Sequence, residues 1–263
     1  MSRAGRRITS ADNPAYRALL KLQQSSRERR KAGRSLLDGI HLVGAFLQHA
    51  GSPQEIIVSA AGLQDGEIVK LLAQHGVEPL VLSDGLFRAL SPVTTPTGIM
   101  AAIETPRPAA LPESPGPCVI LEDIQDPGNL GSILRSAAAA GIEEIYLSPH
   151  CVHAWSPRVL RAGMGAHFTL RIYEQANLQR LVSGYGGTVL ATARDATTPL
   201  YAADLRGRVG FLFGNEGAGL SPELKQRAHR TVSIPMPGQA ESLNVAAAAA
   251  VCLFERVRQL TQL

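Results

Sequence analysis

Short apolar runs recur along the second half of the chain: CVILE at 118–122, EIYLS at 144–148, FTLRIY at 168–173, TVLATA at 188–193, VGFLFG at 209–214 and TVSIP at 231–235. Helical patterns separate them. Continuous apolar runs alternating with helices predict a mostly parallel sheet covered on both faces. In the first half, EIIVSA (55–60) and EPLVLS (78–83) read as short buried strands, GEIVKLLAQHG (66–76) as a helix closed by Gly76, and RSLLDGIHLVGAFLQHA (34–50) as apolar residues at helical spacing. The chain therefore reads as an α/β protein with a small N-terminal unit and a larger parallel-sheet unit.

Composition sharpens the division. Residues 106–117 carry five prolines in twelve positions, a density neither helix nor sheet tolerates, and predict a linker. The expected organisation is a basic arm over 1–34, a small α/β domain over 35–105, the linker, and a main domain over 118–263. Residues 1–34 hold ten Lys/Arg against two acids, leaving 16 basic against 20 acidic residues in the rest. An arm of that charge suits a polyphosphate partner, because neutralised phosphates release counterions. A solvated charged helix is the plain alternative, and an Arg- and Ser-rich targeting peptide a third reading that Asp12 disfavours.

The longest uncharged apolar run, NVAAAAAVCLF, falls well short of the roughly 20 residues of a membrane span, so a soluble chain without membrane contact is expected. Three widely spaced cysteines, Cys118, Cys151 and Cys252, offer no disulfide framework and favour a reducing cytoplasm. HCVH at 150–153 lacks a second ligand cluster, so no metal site is expected. Neither a Walker-type loop, a Gly-x-Gly-x-x-Gly fingerprint nor a Gly-x-Ser-x-Gly elbow occurs.

Ligands of parallel sheets sit beyond the carboxyl ends of the strands, which singles out three loops. The first, DPGNLGSILRSAAAAGI (126–142), runs a glycine-punctuated turn into an alanine-rich helix and carries Asn129 and Arg135. The second, FLFGNEGAGLS (211–221), carries Gly214 and Glu216. The third, SIPMPGQAESLNVAAAAAVCLFE (233–255), carries Ser242 and Asn244 ahead of a helix whose first turns are almost all alanine. Singly, these are ordinary caps and turn residues. Such an alanine run, however, lets another backbone approach closely.

Together and in this order, the three segments resemble the motifs of the SpoU (TrmH) family of RNA 2′-O-ribose methyltransferases in the SPOUT superfamily. The resemblance covers residue 118 to the C-terminus. The N-terminal part resembles an L30e-like substrate-binding domain through ITSADNPAYRALLKL, LLDGIHLV and FRALSPVTTPTGIMAAIE. The resemblance implies a SPOUT domain with a deep trefoil knot, a topology that pattern reasoning does not reach. It also implies S-adenosylmethionine as methyl donor, held by Gly214, Ile234, Met236 and Leu243, with Thr192 in the same pocket. Structured RNA, ribosomal rather than transfer RNA, is the implied substrate, and a homodimer the implied assembly.

The implied catalytic group is Arg135, with Asn129, Glu216, Ser242 and Asn244 orienting the ribose and shaping the loops. A guanidinium does not deprotonate in proteins, so Arg135 is read as binding the neighbouring phosphate and stabilising the developing alkoxide. Glu216 is the alternative base. A tRNA 2′-O-methyltransferase and a non-catalytic RNA-binding or ribosome-assembly factor of the same fold are the rival readings.

Overall fold

The computed structural model describes residues 6–108 and 110–261, which form two compact units. The first comprises the chain up to Pro106 together with Trp155–Phe168, and the second comprises Arg107–Ala154 and Thr169–Leu263.

The first unit runs β1 (Arg7–Ile8), α1 (Pro14–Gln24), α2 (Ser26–Ala32), β2 (Arg34–Asp38), α3 (Ile40–His49), β3 (Glu55–Ser59), α4 (Gly66–His75), β4 (Leu80–Leu82), α5 (Asp84–Leu90) and β5 (Ile99–Glu104). Its five-stranded sheet has the order β1-β4-β3-β5-β2. β1, β4 and β3 are mutually parallel, whereas β5 pairs antiparallel with both β3 and β2. Tyr16, Leu19, Leu36, Ile57, Leu80 and Phe87 pack one of its core clusters.

Two sequence expectations need correction here. The segment 34–50 is not one helix. Its first five residues are β2, Gly39 turns the chain at φ +105°, and only then does α3 begin. The run Ser35-Leu36-Leu37 fits a strand buried on both faces as well as it fits a helix, and pairing with β5 decides it. The stretch 1–34 is not a free arm either. Residues 1–5 lie outside the described residues, but from Arg6 onward the chain is built into the unit: β1 pairs with β4, and Ile8, Tyr16, Leu19 and Leu22 are buried. Even Arg29 is structural, buried and donating to the Leu22 carbonyl at 2.6 Å and the Gln23 carbonyl at 3.1 Å in the last turn of α1.

The second unit runs β6 (Cys118–Leu121), α6 (Pro127–Ala139) and β7 (Glu144–Leu147). After the excursion that carries α7 (Pro157–Gly163) into the first unit come β8 (Arg171–Tyr173), α8 (Leu178–Ser183), β9 (Thr188–Thr192), β10 (Val209–Phe213), α9 (Pro222–Arg227), β11 (Arg230–Val232) and α10 (Val245–Thr261). All six strands are parallel, in the order β11-β9-β10-β6-β7-β8. Every residue of β6, β7 and β10 is buried, as expected of a sheet covered on both faces.

Chain order reverses between β6 and β10, so their carboxyl ends form the switch point at which doubly wound sheets open a crevice. α10 packs on α6 and β10, and the buried residues of the two helices include the small Ala246 and Ala249 of α10 and Gly131 and Ala137 of α6. Among the described residues no helix is long and apolar enough to cross a membrane.

Candidate active site

The loops after β6 and β10 meet at the switch point and are tied by polar side chains. Asp126 caps α6 by accepting from the Asn129 backbone N–H at 2.8 Å. Capping leaves the Asn129 side chain free to reach across. Its Nδ2 donates to Glu216 Oε1 at 3.0 Å, and its Oδ1 accepts from Asn244 Nδ2 at 2.8 Å. Asn244 in turn accepts from the Ala246 and Ala247 backbone N–H groups at 2.9 and 3.3 Å, capping α10. One asparagine thus joins all three loops singled out in the sequence.

Glu216 accepts two further hydrogen bonds from the β6–α6 turn, from the Gln125 N–H at 3.3 Å and the Asp126 N–H at 3.1 Å. Partial burial raises its pKa. The donors Asn129, its own backbone, Asp126 and Gln125 outweigh that and hold the carboxyl below its ordinary value. Glu216 is therefore an ionised clamp with both oxygens engaged, and its lowered pKa makes it a weak acceptor for a proton.

The loop carrying Glu216 is tight. A Cβ on Gly214 would lie 2.3 Å from the Gly219 carbonyl carbon and from the Leu220 nitrogen, so only glycine fits. Gly219 sits at φ +71° and exchanges backbone hydrogen bonds with Asn215 at 2.9 and 3.0 Å. Asn215, which sequence reasoning passed over, fastens the loop. It accepts from the Gly217 and Ala218 N–H groups at 3.0 Å each and donates to the Asp123 carbonyl at 2.8 Å. Asn followed by a glycine two residues on is an Asx-turn signal that was legible in the sequence. Glu122 was not legible; it accepts from the Ser221 N–H at 2.7 Å at the loop's far end.

Two adjoining cavities open beside this network. One, about 360 Å³, is walled by Val232, Ile234, Pro235, Met236, Leu243 and Ala248; the other, about 940 Å³, follows Gly214–Leu220. They share Thr192, Ser242 and Leu243, and Thr192 is fixed by donating to the Leu212 carbonyl at 3.2 Å. Of the residues singled out in the sequence, Gly214, Ile234, Met236, Leu243 and Thr192 thus line one continuous region. Ser242 stands on its exposed rim, with no hydrogen bond to the Asn129 network among the described residues.

Arg135 lies two turns along α6 from Gly128 and one from Ser132, on the exposed face of that helix. Among the described residues its guanidinium makes no hydrogen bond or ion pair. Gly128 and Ser132 keep the face above it low. An exposed, partnerless arginine over a helix whose other outward residues are small is available to an anion.

His153 is buried, 3.5 Å from Glu174, while His150 is exposed; no three His, Cys, Asp or Glu side chains among the described residues stand together as metal ligands.

Residues 116–254 match the model of the SpoU rRNA Methylase family, more than half of the chain. The chain belongs to that family. Residues 13–101 match the MRM3-like substrate binding domain, which gives the N-terminal resemblance a specific relative. The chain is 34% identical over 261 residues to an uncharacterized tRNA/rRNA methyltransferase of Synechocystis, covering 96% of this chain and 93% of that one. It is 31% identical over 252 residues to the 23S rRNA (guanosine(2553)-2′-O)-methyltransferase RlmP of Bacillus subtilis, covering 95% of this chain and 98% of that one. Among solved structures, an RNA 2′-O ribose methyltransferase superposes with a TM-score of 0.83 at 30% identity, over 96% of this chain and 98% of the other. The AdoMet-bound rRNA methyltransferase of Sinorhizobium meliloti superposes at 0.82 and 27% identity, over 97% and 98%.

Proposed function

We propose that this protein transfers a methyl group from S-adenosylmethionine to the ribose 2′-hydroxyl of a guanosine in 23S ribosomal RNA. The observation that carries this reading is the bonded path Asn244–Asn129–Glu216, which holds the three loops around an apolar cavity on the helix that presents a partnerless Arg135. Relatives named as 23S rRNA guanosine 2′-O-methyltransferases, from Bacillus subtilis and Shewanella oneidensis, support the substrate, and the AdoMet-bound relative supports the donor.

The residues present fit that donor. Ile234, Met236, Leu243 and Ala248 give the apolar walls an adenosine needs, within a volume typical of small-molecule sites, and Gly214 lets loop backbone come close. Bound there, the donor supplies an electrophilic methyl group. The chain's own part is positioning and electrostatics. Arg135 takes a phosphate beside the target ribose and stabilises negative charge as the 2′-oxygen develops it. Asn129 and Asn244 keep the loops in register, and Ser242, exposed at the cavity rim, orients the ribose. Glu216 acts as the anchor of the first loop, since its oxygens are already engaged.

A second copy of the chain covers the exposed apolar side chains of α10, Phe254 at 48% and Leu260 at 47% exposure. Three free cysteines, all buried, accord with a cytoplasmic setting.

Incubation with labelled S-adenosylmethionine and unmodified 23S rRNA, 16S rRNA or tRNA, followed by nucleoside analysis, tests the proposal. Label is expected as 2′-O-methylguanosine in the 23S pool. Label confined to tRNA moves the chain to the tRNA enzymes, and a chain that binds no donor is a binding factor.

A further inference from the structure

The β7–β8 connection is unusual. A parallel crossover ordinarily lays its helix on its own sheet, but here Trp155–Phe168 leave the methylase unit and belong to the first unit. There α7 packs on the edge strand β2 through Val159, Leu160 and Gly163, Phe168 meets Phe46 edge-on at 5.3 Å, and Gly165 lies close enough that a Cβ would come 3.1 Å from the Ala45 methyl. The segment lies within the match to the methylase family and outside the match to the substrate-binding domain. Its sequence position therefore conceals which unit it serves.

Burying Val159, Leu160 and Gly163 turns Arg158 and Arg161 outward, three residues apart on one face. No acidic residue occurs between Glu144 and Glu174, so nothing in the segment neutralises them. Arg158 has no partner among the described residues. Arg161 acts on the half-buried Asp38 through space but forms no ion pair within 4 Å. The same strand β2 is also packed by α2, whose exposed Arg27 and Lys31, four residues apart, likewise carry no partner. Elsewhere in the unit Arg6 and Arg17 are already paired with Glu55 and Asp12. Two helices from distant parts of the chain thus place four exposed cations beside one edge strand, none of them in an ion pair within 4 Å among the described residues. A run of cations of that kind complements a phosphate backbone.

We propose that α7 forms part of the RNA-binding face of the N-terminal unit, with Arg158 and Arg161 contacting phosphates of the RNA strand that Arg27 and Lys31 also engage. This rests on the functional reading above and adds a contact surface to it. The insertion would then serve substrate capture, holding the RNA by its backbone without reading sequence.

Binding of full-length in vitro transcribed 23S rRNA across a potassium chloride series tests the idea, using the whole chain, R158A/R161A and R158K/R161K. Two lost phosphate contacts lower affinity about ten- to thirty-fold near 0.15 M salt and reduce the slope of log K against log salt by about 1.4 to 1.8. The lysine variant is expected to keep the slope, and S-adenosylmethionine affinity to stay at the wild-type value in both. An alanine variant with wild-type affinity and slope overturns the proposal, as does a lysine variant as impaired as the alanine one. Wild-type methylation of 23S rRNA alongside either of those results overturns this inference alone. A wild-type chain that neither binds nor methylates 23S rRNA overturns the functional reading with it.

Discussion

Asn244 donates its side-chain amide to Asn129 Oδ1 at 2.8 Å, joining residues 115 positions apart at the starts of two helices. Because Asn129 also holds Glu216, the α10 loop is coupled to the β10 loop through a single side chain. Asn129→Ala should leave the fold intact, since the caps from Asp126 and Asn244 remain, while the three loops lose register. Methyl transfer is expected to fall about tenfold or more, in keeping with loss of a hydrogen bond to a charged group. Single-turnover kinetics check this, and undiminished transfer would separate the network from the chemistry.

Arg135→Ala is expected to lower methyl transfer at least 100-fold with little change in S-adenosylmethionine affinity by calorimetry, because the guanidinium lies on α6 and does not line the cavities. Arg135→Lys should recover part of the loss, keeping the charge without the planar fork. Abolished donor binding in a folded variant would contradict the role assigned.

Gly214→Ala places a methyl group 2.3 Å from the Gly219 and Leu220 backbone, so the loop must open. The expected cost is about 1–3 kcal/mol of stability. Donor affinity should fall further than stability does, since the displaced loop walls the cavity; melting curves with and without S-adenosylmethionine separate the two effects.

Glu216 is held below its ordinary pKa, because hydrogen bonds from Asn129, Asp126 and Gln125 outweigh its partial burial. The folded state thus binds its proton less readily than the unfolded chain. Its contribution to stability is complete above the unfolded pKa and is lost as pH falls through the lowered folded value. Glu216→Gln should flatten the acid limb of the stability profile below about pH 4.5. If instead the variant removes an acid-side dependence of the rate, Glu216 is a base after all.

Cys118 and Cys252 are buried and their thiols are pushed up to about 12 by burial, which disfavours the thiolate. A raised folded pKa means stability that is whole below the unfolded value and declines as pH climbs toward about 12. Alkaline denaturation should therefore begin near pH 9, and thiol reagents should be inert toward the native protein at pH 8 yet titrate three groups in denaturant.

Removing residues 1–34 takes β1, α1, α2 and the start of β2 with them, including the buried Tyr16, Leu19 and Leu22. The truncated chain should lose the cooperative unfolding of its first unit, a loss visible as early hydrogen exchange in β3 and β4, which border β1 and β5. A truncated chain with native protection there would return these residues to the status of an arm.

Local sequence determined what depends on near neighbours. Apolar runs became the six parallel strands, Gly76 closed α4 in the left-handed region at φ +62°, and the order of three glycine- and asparagine-bearing loops pointed to the family. It was silent wherever the deciding partner is remote. The run 35–37 becomes a strand because β5 offers it a ladder, and the basic N-terminal residues become a helix pair because a core waits under Tyr16 and Leu19. α7 sits inside the methylase stretch of the chain but packs in the other unit. Glu216 reads from composition as a free carboxylate. Only the fold brings Asn129 and the amides of Gln125 and Asp126 to it, and so engages both oxygens of that carboxylate. Periodicity and propensity act over a few residues, whereas pairing, burial and the charge state of a side chain depend on groups that only folding brings within reach.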